Sequence, residues 1–408
     1  MKNIAYLHQY FRFPNEPGGT RSYDLARGFV AKNYKVEIIT TTSDIQYKNG
    51  RRWNSIQRED LLIHYIYLPY SNKLSYFKRS IIFFQFFWFS TIKLLSLKPD
   101  LVLATSTPLT IGIPALIKKV FHGTSFIFEA RDIWPEAVIA IGAIRSKVLQ
   151  RLLYWLEGVI YRNAKAIIPL SSDMKYSIVS RYPQLLEKPV QVIENISEIN
   201  RFQNISSKRS SILKEKLGFI PRFTILYAGT FGKVNGIEYV IQLAEKIITI
   251  DPSIVFVLIG NGAEKNNIMK SAKEKNLLHK NVFILDAITK NELPQLYYEA
   301  NMGSSFVIDL KELWANSANK FFDTLAAGRP ILINHHGWQE EIIRKDNLGY
   351  VLPPRHSPES INEFVLYTKN EDLQIRQKEN ALKKAIESYS LEIAVKKYTM
   401  VFSEILPS

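Results

Sequence analysis

Trp314-Ala-Asn-Ser-Ala-Asn-Lys-Phe-Phe-Asp-Thr-Leu-Ala-Ala-Gly-Arg-Pro-Ile-Leu-Ile333 is the stretch from which the rest of the chain is read. Its apolar positions Phe321, Phe322 and Leu325 recur at helical spacing, and Lys320 and Asp323, three apart, share one face. Asn316 or Ser317 is the expected N-cap and Gly328 the expected stop, after which Arg329-Pro330 leads into an apolar strand, Ile331–Ile333. A helix start carries N–H groups with no partner in the helix, and these favour anions. A lysine in that turn adds charge, and a carboxylate one turn deeper accepts hydrogen bonds from sugar hydroxyls. A diphosphate followed by a ribose presents its groups in this order. An ordinary amphipathic helix between two strands accounts for the same spacing.

Outward from this segment, apolar strand patterns alternate with helical ones. Strands are expected at Asn3–His8, Val36–Thr41, Leu61–Tyr67, Leu101–Thr105, Ser125–Phe128 and Ala166–Leu170. A second series runs through Phe223–Ala228, Ile254–Ile259, Val282–Leu285, Met302–Phe306 and Ile331–Ile333. The alternation predicts an α/β fold with two doubly wound parallel sheets. Helices are expected over Thr20–Lys32 and Ser146–Arg162, and Leu373–Ile405 reads as a helical C-terminal segment. Signals weaken between Glu194 and Arg222, which includes the polar stretch Asn200–Lys208. The expected division is therefore a first domain over 1–200, a second over 201–385, and a final helical segment over 386–408.

A chain of 408 residues is ample for two or three domains with sizeable cores. The absence of cysteine excludes disulfides, thiolate metal sites and a cysteine nucleophile. Met1 runs straight into a strand pattern without the form of a signal peptide, so cytoplasmic residence is expected. A formal charge of +15 calls for an anionic partner: nucleic acid, an anionic membrane or a phosphate-bearing substrate. The charge is dispersed, and no helix-turn-helix, zinc or basic–aromatic pattern is present, so no nucleic-acid partner is expected. Residues 73–98 are the candidate membrane contact. The uncharged run Ser80–Ile92 is flanked by Lys73, Lys78, Arg79, Lys93 and Lys98, and is too short for the about 20 residues of a bilayer span. An interfacial helix and a buried domain helix both account for it.

Open α/β sheets bind ligands beyond the carboxyl ends of their strands. The first strand ends in His8-Gln-Tyr-Phe, and Pro17-Gly-Gly-Thr-Arg21 follows, where paired glycines let backbone approach a ligand. Another strand runs into Phe128-Glu-Ala-Arg-Asp-Ile-Trp-Pro-Glu136. Glu129, Arg131, Asp132 and Glu136 read as the rim of a polar cleft or as an internal Arg–carboxylate network. Thr105-Ser-Thr-Pro-Leu109 ends a strand in hydroxyls, for which an N-cap is the simpler reading. In the second half, Tyr227-Ala-Gly-Thr-Phe-Gly-Lys-Val-Asn-Gly236 reads as a phosphate-wrapping loop with Lys233 adding charge. Ile259-Gly-Asn-Gly-Ala263 is a tight turn or a base-binding turn. His335-His336 face opposite ways on a strand, and no Asp-Xaa-Asp occurs, so no metal site is expected.

Asn319–Pro330 and Glu129–Glu136 together resemble glycosyltransferase family 4, whose members are retaining enzymes with two Rossmann-like domains, the GT-B fold. The Arg-Asp-Xaa-Trp-Pro-Glu sequence is similar to that of a bacterial subgroup, including N-acetyl-fucosamine and other deoxyhexose transferases, acting on lipid-linked precursors of surface polysaccharide. The resemblance implies a nucleotide-sugar donor, commonly UDP-linked, and an undecaprenyl-diphosphate-linked saccharide acceptor at the inner face of the bacterial inner membrane. It implies no metal or other cofactor. Carried over by position, Arg131, Asp132 and Lys320 are the catalytic candidates. Gly19, Gly229, Thr230, Lys233, Asn261, Asn319, Lys320 and Asp323 are the donor-binding set, with Asp323 on the ribose. Tyr10, Arg21, Glu129 and Glu136 are the acceptor-binding set. The chain departs from the family at Ala315, where an acidic residue eight positions before Asp323 contacts the donor sugar, and at Arg131, where many members have histidine. The final helix is expected to cross back to the first domain. Two other readings fit the architecture: a UDP-N-acetylglucosamine 2-epimerase-like enzyme and a membrane-associated scaffold with a degenerate site.

Overall fold

The computed structural model describes residues 1–16, 18–50, 52–69, 76–204, 211–288 and 292–406, so Pro17, Lys73 and the end of the polar stretch named above lie outside it. The side chain of Arg79 also lies outside the described residues. Strands β1 (Asn3–Leu7), β2 (Lys35–Thr42), β3 (Asn54–Arg58), β4 (Leu61–Tyr67), β5 (Leu101–Thr105), β6 (Ser125–Ala130) and β7 (Ala166–Pro169) form one sheet, in the order β3-β4-β2-β1-β5-β6-β7. Strands β8 (Phe223–Ala228), β9 (Ile254–Ile259), β10 (Val282–Leu285), β11 (Met302–Ser305), β12 (Ile331–Ile333) and β13 (Gly349–Val351) form the other, in the order β10-β9-β8-β11-β12-β13. Unbroken apolar runs such as Ile254-Val-Phe-Val-Leu-Ile259 belong to strands covered on both faces, which parallel pairing with crossover helices provides.

Two edge strands escape the sequence pattern. β3, Asn-Ser-Ile-Gln-Arg, carries one aliphatic side chain and pairs antiparallel with β4 at the sheet edge, where polar residues are tolerated. β13 is three residues long and partly exposed, so it has no periodicity to read.

The first sheet is covered by α1 (Arg21–Ala31), α2 (Tyr76–Ser96), α3 (Gly112–His122), α4 (Glu136–Ala140), α5 (Lys147–Asn163) and α6 (Ser172–Arg181). The second carries α7 (Ile199–Gln203), α8 (Ile212–Leu217), α9 (Ile237–Ile247), α10 (Lys265–Glu274), α11 (Leu293–Glu299), α12 (Asn319–Ala326), α13 (Trp338–Asp346) and α14 (Pro358–Tyr367). The C-terminal segment is two helices, α15 (Glu371–Tyr389) and α16 (Leu391–Ile405). They part at Ser390, whose hydroxyl accepts the Ile393 N–H and caps α16. α16 lies on α1 in the first domain's core. Phe402 and Tyr398 meet Phe29 edge-on at 5.0 and 5.4 Å, and Val395 packs where a Cβ on Gly28 would come within 2.3 Å. The last helix therefore packs in the core of the first domain.

In each sheet the strand order reverses beside the central strand, between β1 and β5 in one and between β8 and β11 in the other. Such switch points open a crevice at the carboxyl ends of the strands. The two crevices face each other.

Candidate active site

Loops from the carboxyl ends of both sheets line a cavity of about 440 Å³ between the domains. The first domain contributes His8 and Tyr10 beyond β1, Ser106 and Thr107 beyond β5, and Arg131 and Asp132 beyond β6. The second contributes Asn235, the loop Asn316–Ala318, and Asn319 and Lys320 of α12. An adjoining cavity of about 480 Å³ is lined by Gly229 and Thr230 after β8, Gly260 and Asn261 after β9, Ala287 and Ile288 after β10, and Asp323. Gly19, Asn319 and Lys320 line both.

Lys320 stands at that junction. Its ammonium donates to Asn235 Oδ1 at 3.2 Å and lies 5.0 Å from the Tyr227 ring centroid. Burial lowers its pKa to about 8, against the pull of the Asp323 carboxylate. Gly229 packs so closely that a Cβ there would lie 3.1 Å from Lys320 Cδ. Across the junction, a Cβ on Gly19 would lie 2.5 Å from Asn319 Nδ2, so this glycine is fixed by a close approach between the domains.

The helix start differs from the expected one. α12 begins at Asn319, its N-cap is Ala318 without a side-chain cap, and Asn316 and Ser317 belong to the preceding loop. Asn316 Oδ1 and Ser317 Oγ are buried and have no hydrogen-bond partner among the described residues. Two donors, Trp338 Nε1 at 2.9 Å and Gln339 Nε2 at 3.2 Å, hold the Asn316 carbonyl instead. Gly328, with φ of +60°, ends the helix as the sequence implied.

On the first-domain wall, the Thr105–Thr107 hydroxyls do not cap a helix. Thr107 donates to Asp132 Oδ2 at 2.6 Å, and Ser106 Oγ accepts the Arg131 N–H at 2.9 Å, so β5 fixes the loop that carries both candidates. The Arg131 guanidinium donates to His8 Nε2 at 3.3 Å. A guanidinium has no acceptor, so this bond puts the imidazole proton on Nδ1. Burial, then the Arg131 and Arg12 charges, hold the His8 pKa well below the usual histidine range, so His8 is neutral.

Three acceptor candidates lie elsewhere. Arg21 and Glu129 form an internal ion pair at 2.9 Å, both fully buried. Tyr398 of α16 donates to Glu129 Oε1 at 2.8 Å, and Arg21 also donates to the carbonyls of Ile193 and Glu194 at 3.2 and 2.6 Å. Burial would raise the Glu129 carboxyl, yet the Arg21 and Arg131 charges and the Thr105 and Tyr398 hydroxyls hold it below the usual range. With every polar atom used internally, neither residue faces the cleft; for Glu129 the internal-network reading holds, with Arg21 as its ion-pair partner. Glu136 starts α4, pairs with Arg181 at 2.5 Å and accepts the Ser177 hydroxyl at 2.9 Å, so it ties α4 to α6. Lys233 is exposed in a one-turn helix and lines neither cavity; Asn235, two residues on, reaches Lys320 in its place.

Sequence reasoning passed over several lining residues. Asn195 lies in the stretch read as a domain boundary, yet its amide donates to Asn319 Oδ1 and to the Ser317 carbonyl at 3.2 Å. Nothing local marks it, because its role arises from a contact across domains. Ala315 is buried with Ile133, Leu170 and Met174, and its carbonyl accepts the Ser171 hydroxyl at 2.8 Å. The residue standing at the family's acidic position is thus part of an interdomain contact. Among the described residues, no group of three or more His, Cys, Asp or Glu side chains could hold a metal ion.

With fold and cleft in hand, two family models match: a glycosyl transferase 4-like domain over residues 18–186 and the glycosyl transferases group 1 domain over 211–385. The chain belongs to the GT-B glycosyltransferases and is a glycosyltransferase enzyme. Among curated relatives, spore coat protein SA of Bacillus subtilis is 24% identical over 260 residues, covering 60% of this chain and 68% of that protein. Alpha-D-kanosaminyltransferase of Streptomyces kanamyceticus is 22% identical over 261 residues, covering 64% and 66%. The chain thus matches about two thirds of the length of these relatives. Sucrose-phosphate synthase of Thermosynechococcus elongatus superposes with a TM-score of 0.74 at 15% identity, over 99% of each chain. Anabaena HepE in complex with UDP and glucose gives 0.73 at 15% identity, over 99% of this chain and 100% of that one.

Proposed function

We propose that this glycosyltransferase moves a sugar, with retention at the anomeric carbon, from a UDP-linked donor to a lipid-diphosphate-linked saccharide in O-antigen or capsule-type polysaccharide synthesis. The observation that carries the reading is the pair of adjoining cavities with Lys320 at their junction. In this reading the nucleotide occupies the cavity lined by Gly229, Asn261, Ile288 and Asp323, and sugar and acceptor meet in the other. The UDP complex of the HepE fold relative supports the choice of base.

The bond from sugar to diphosphate breaks with its electron pair going to the diphosphate oxygen. The acceptor hydroxyl bonds to the anomeric carbon on the same face and passes its proton to that oxygen. Lys320 and the N–H groups opening α12 stabilise the developing charge without reorganising. Asn316 Oδ1 and Ser317 Oγ, buried and unpartnered, accept from sugar hydroxyls, and the apolar wall of Leu170, Phe306 and Leu313 suits a deoxy or N-acetyl substituent. Arg131 holds acceptor phosphates, and Asp132 orients the attacking hydroxyl. Activity is expected to survive EDTA, since the cationic work falls to Lys320.

Membrane contact through α2 belongs to the same reading. No helix among the described residues is long and apolar enough to cross a membrane, while Ile81, Phe84, Trp88 and Ile92 are exposed along one side of α2. The test is a thermal-shift panel of UDP, GDP, CMP and ADP, followed by donor turnover. A shift selective for UDP is expected; no shift with any nucleotide would overturn the donor assignment.

A further inference from the structure

The exposed apolar surface does not end with α2. α2, α3 and α5 lie side by side on one face of the first sheet and share a core that includes Ile82, Ala115 and Ile160. At the end of α3, Phe121 is 74% exposed, beside Val120. On α5, Val148, Leu152 and Trp155 follow at intervals of four and three, which puts them on one helix face, and Trp155 is 60% exposed. Soluble surfaces seldom gather large apolar side chains on neighbouring helices.

The charges along these helices are predominantly positive. Between Leu61 and Phe128 the only acid is Asp100, and between Ala137 and Ser172 the only acid is Glu157. Glu157 is buried and paired with Arg181 at 3.4 Å, so it adds nothing to the surface. Arg145, Lys147 and Arg151, which flank the α5 stripe, are exposed. A second copy of the chain docked here about a two-fold axis would bring like charges together. An anionic lipid surface complements both features, taking the aromatic side chains at headgroup level and the cations at its phosphates.

We propose that α5 and the end of α3 form a second membrane-contact element, so that the protein lies on an anionic bilayer through a three-helix face rather than through α2 alone. The proposal rests on the peripheral reading of α2 given above and extends it. It also orients the cleft. Residues 137–146 alone separate the Arg131–Glu136 loop from α5, so docking α5 brings the acceptor side of the cleft to the headgroups.

The experiment is co-sedimentation of the full chain with vesicles of phosphatidylcholine alone and of phosphatidylcholine with phosphatidylglycerol. The pair L152E/W155E is compared with F84E/W88E, with melting temperature as the control for folding. Wild type is expected to bind only the anionic vesicles, and each pair to weaken binding at least tenfold at unchanged melting temperature. If L152E/W155E binds like wild type while F84E/W88E does not, the α5 proposal is overturned and the α2 reading survives. Loss confined to L152E/W155E supports α5 and removes α2. No binding by wild type overturns both. Should the glutamate pair fail to fold, Leu152→Cys supplies a single thiol in a chain without cysteine. An environment-sensitive dye there is expected to shift to the blue with anionic vesicles; an unchanged spectrum overturns the proposal.

Discussion

Lys320 is a cation kept in a place that disfavours it, and that sets how it responds to pH. Its pKa of about 8 in the folded protein lies below the 10.5 of a free lysine, so the folded chain binds fewer protons than the unfolded chain between those values. Stability from this group therefore rises with pH from about 8 to 10.5, and Lys320→Met is expected to remove that rise without lowering the melting temperature at pH 7. Nucleotide binding moves the other way. A diphosphate needs the proton on Lys320, so affinity measured by titration calorimetry is expected to fall as pH rises above about 8. Losing one charge-assisted hydrogen bond costs about 1.5–3 kcal/mol, or roughly 10–150-fold in donor affinity or turnover, for Lys320→Met. Wild-type kinetics in that variant would remove Lys320 from the mechanism. Gly19→Ala has a different signature. Its Cβ displaces only the Asn319 amide, the end of a side chain, so turnover is expected to fall several-fold while the melting temperature stays within a few degrees.

At the scale of elements, the Arg21–Glu129–Tyr398 network joins α1, β6 and α16, and through the 193–194 carbonyls it fixes the irregular segment that carries Asn195. Removing one partner leaves a buried charge uncompensated, so Arg21→Ala is expected to cost about 3–5 kcal/mol in chemical denaturation. Tyr398→Phe, which loses a hydroxyl donor, is expected to cost about 1–3 kcal/mol. The family resemblance puts Arg21 at the acceptor by its position in the chain. Sequence spacing gives the distance along the helix but not which way its face turns, and α16, hundreds of residues away, decides that. The Thr105–Thr107 hydroxyls failed in the same way, since their partners are on β6 and its loop, not in the following turn.

Across the whole molecule, several polar contacts between the domains hold the loop before α12 and the start of α13. Ser171 holds the Ala315 carbonyl, Asp173 accepts the Trp338 N–H at 2.8 Å, and Asn195 reaches Ser317 and Asn319. Gly337, at φ of +94°, leaves room for the Asp173 carboxylate, which would lie 2.6 Å from any Cβ there. Asp173→Ala is expected to cost about 1 kcal/mol in interdomain closure, seen as a few-fold rise in donor KM and a larger radius of gyration by X-ray scattering, with little change in melting temperature. Unchanged scattering and KM would remove this contact from closure.

The sequence by itself determined both sheets, all but two edge strands, the helix carrying Lys320 and Asp323, and the glycine-rich turns of the second domain. Buried parallel strands need unbroken apolar runs and turns need glycine, so these features are written locally. Tertiary structure alone decided that Arg21 and Glu129 are internal, that Ala315 lies between the domains, and that Asn195, Asn235 and His8 meet at the cleft. Each of these depends on a partner more than eighty residues away, whose direction no local period encodes.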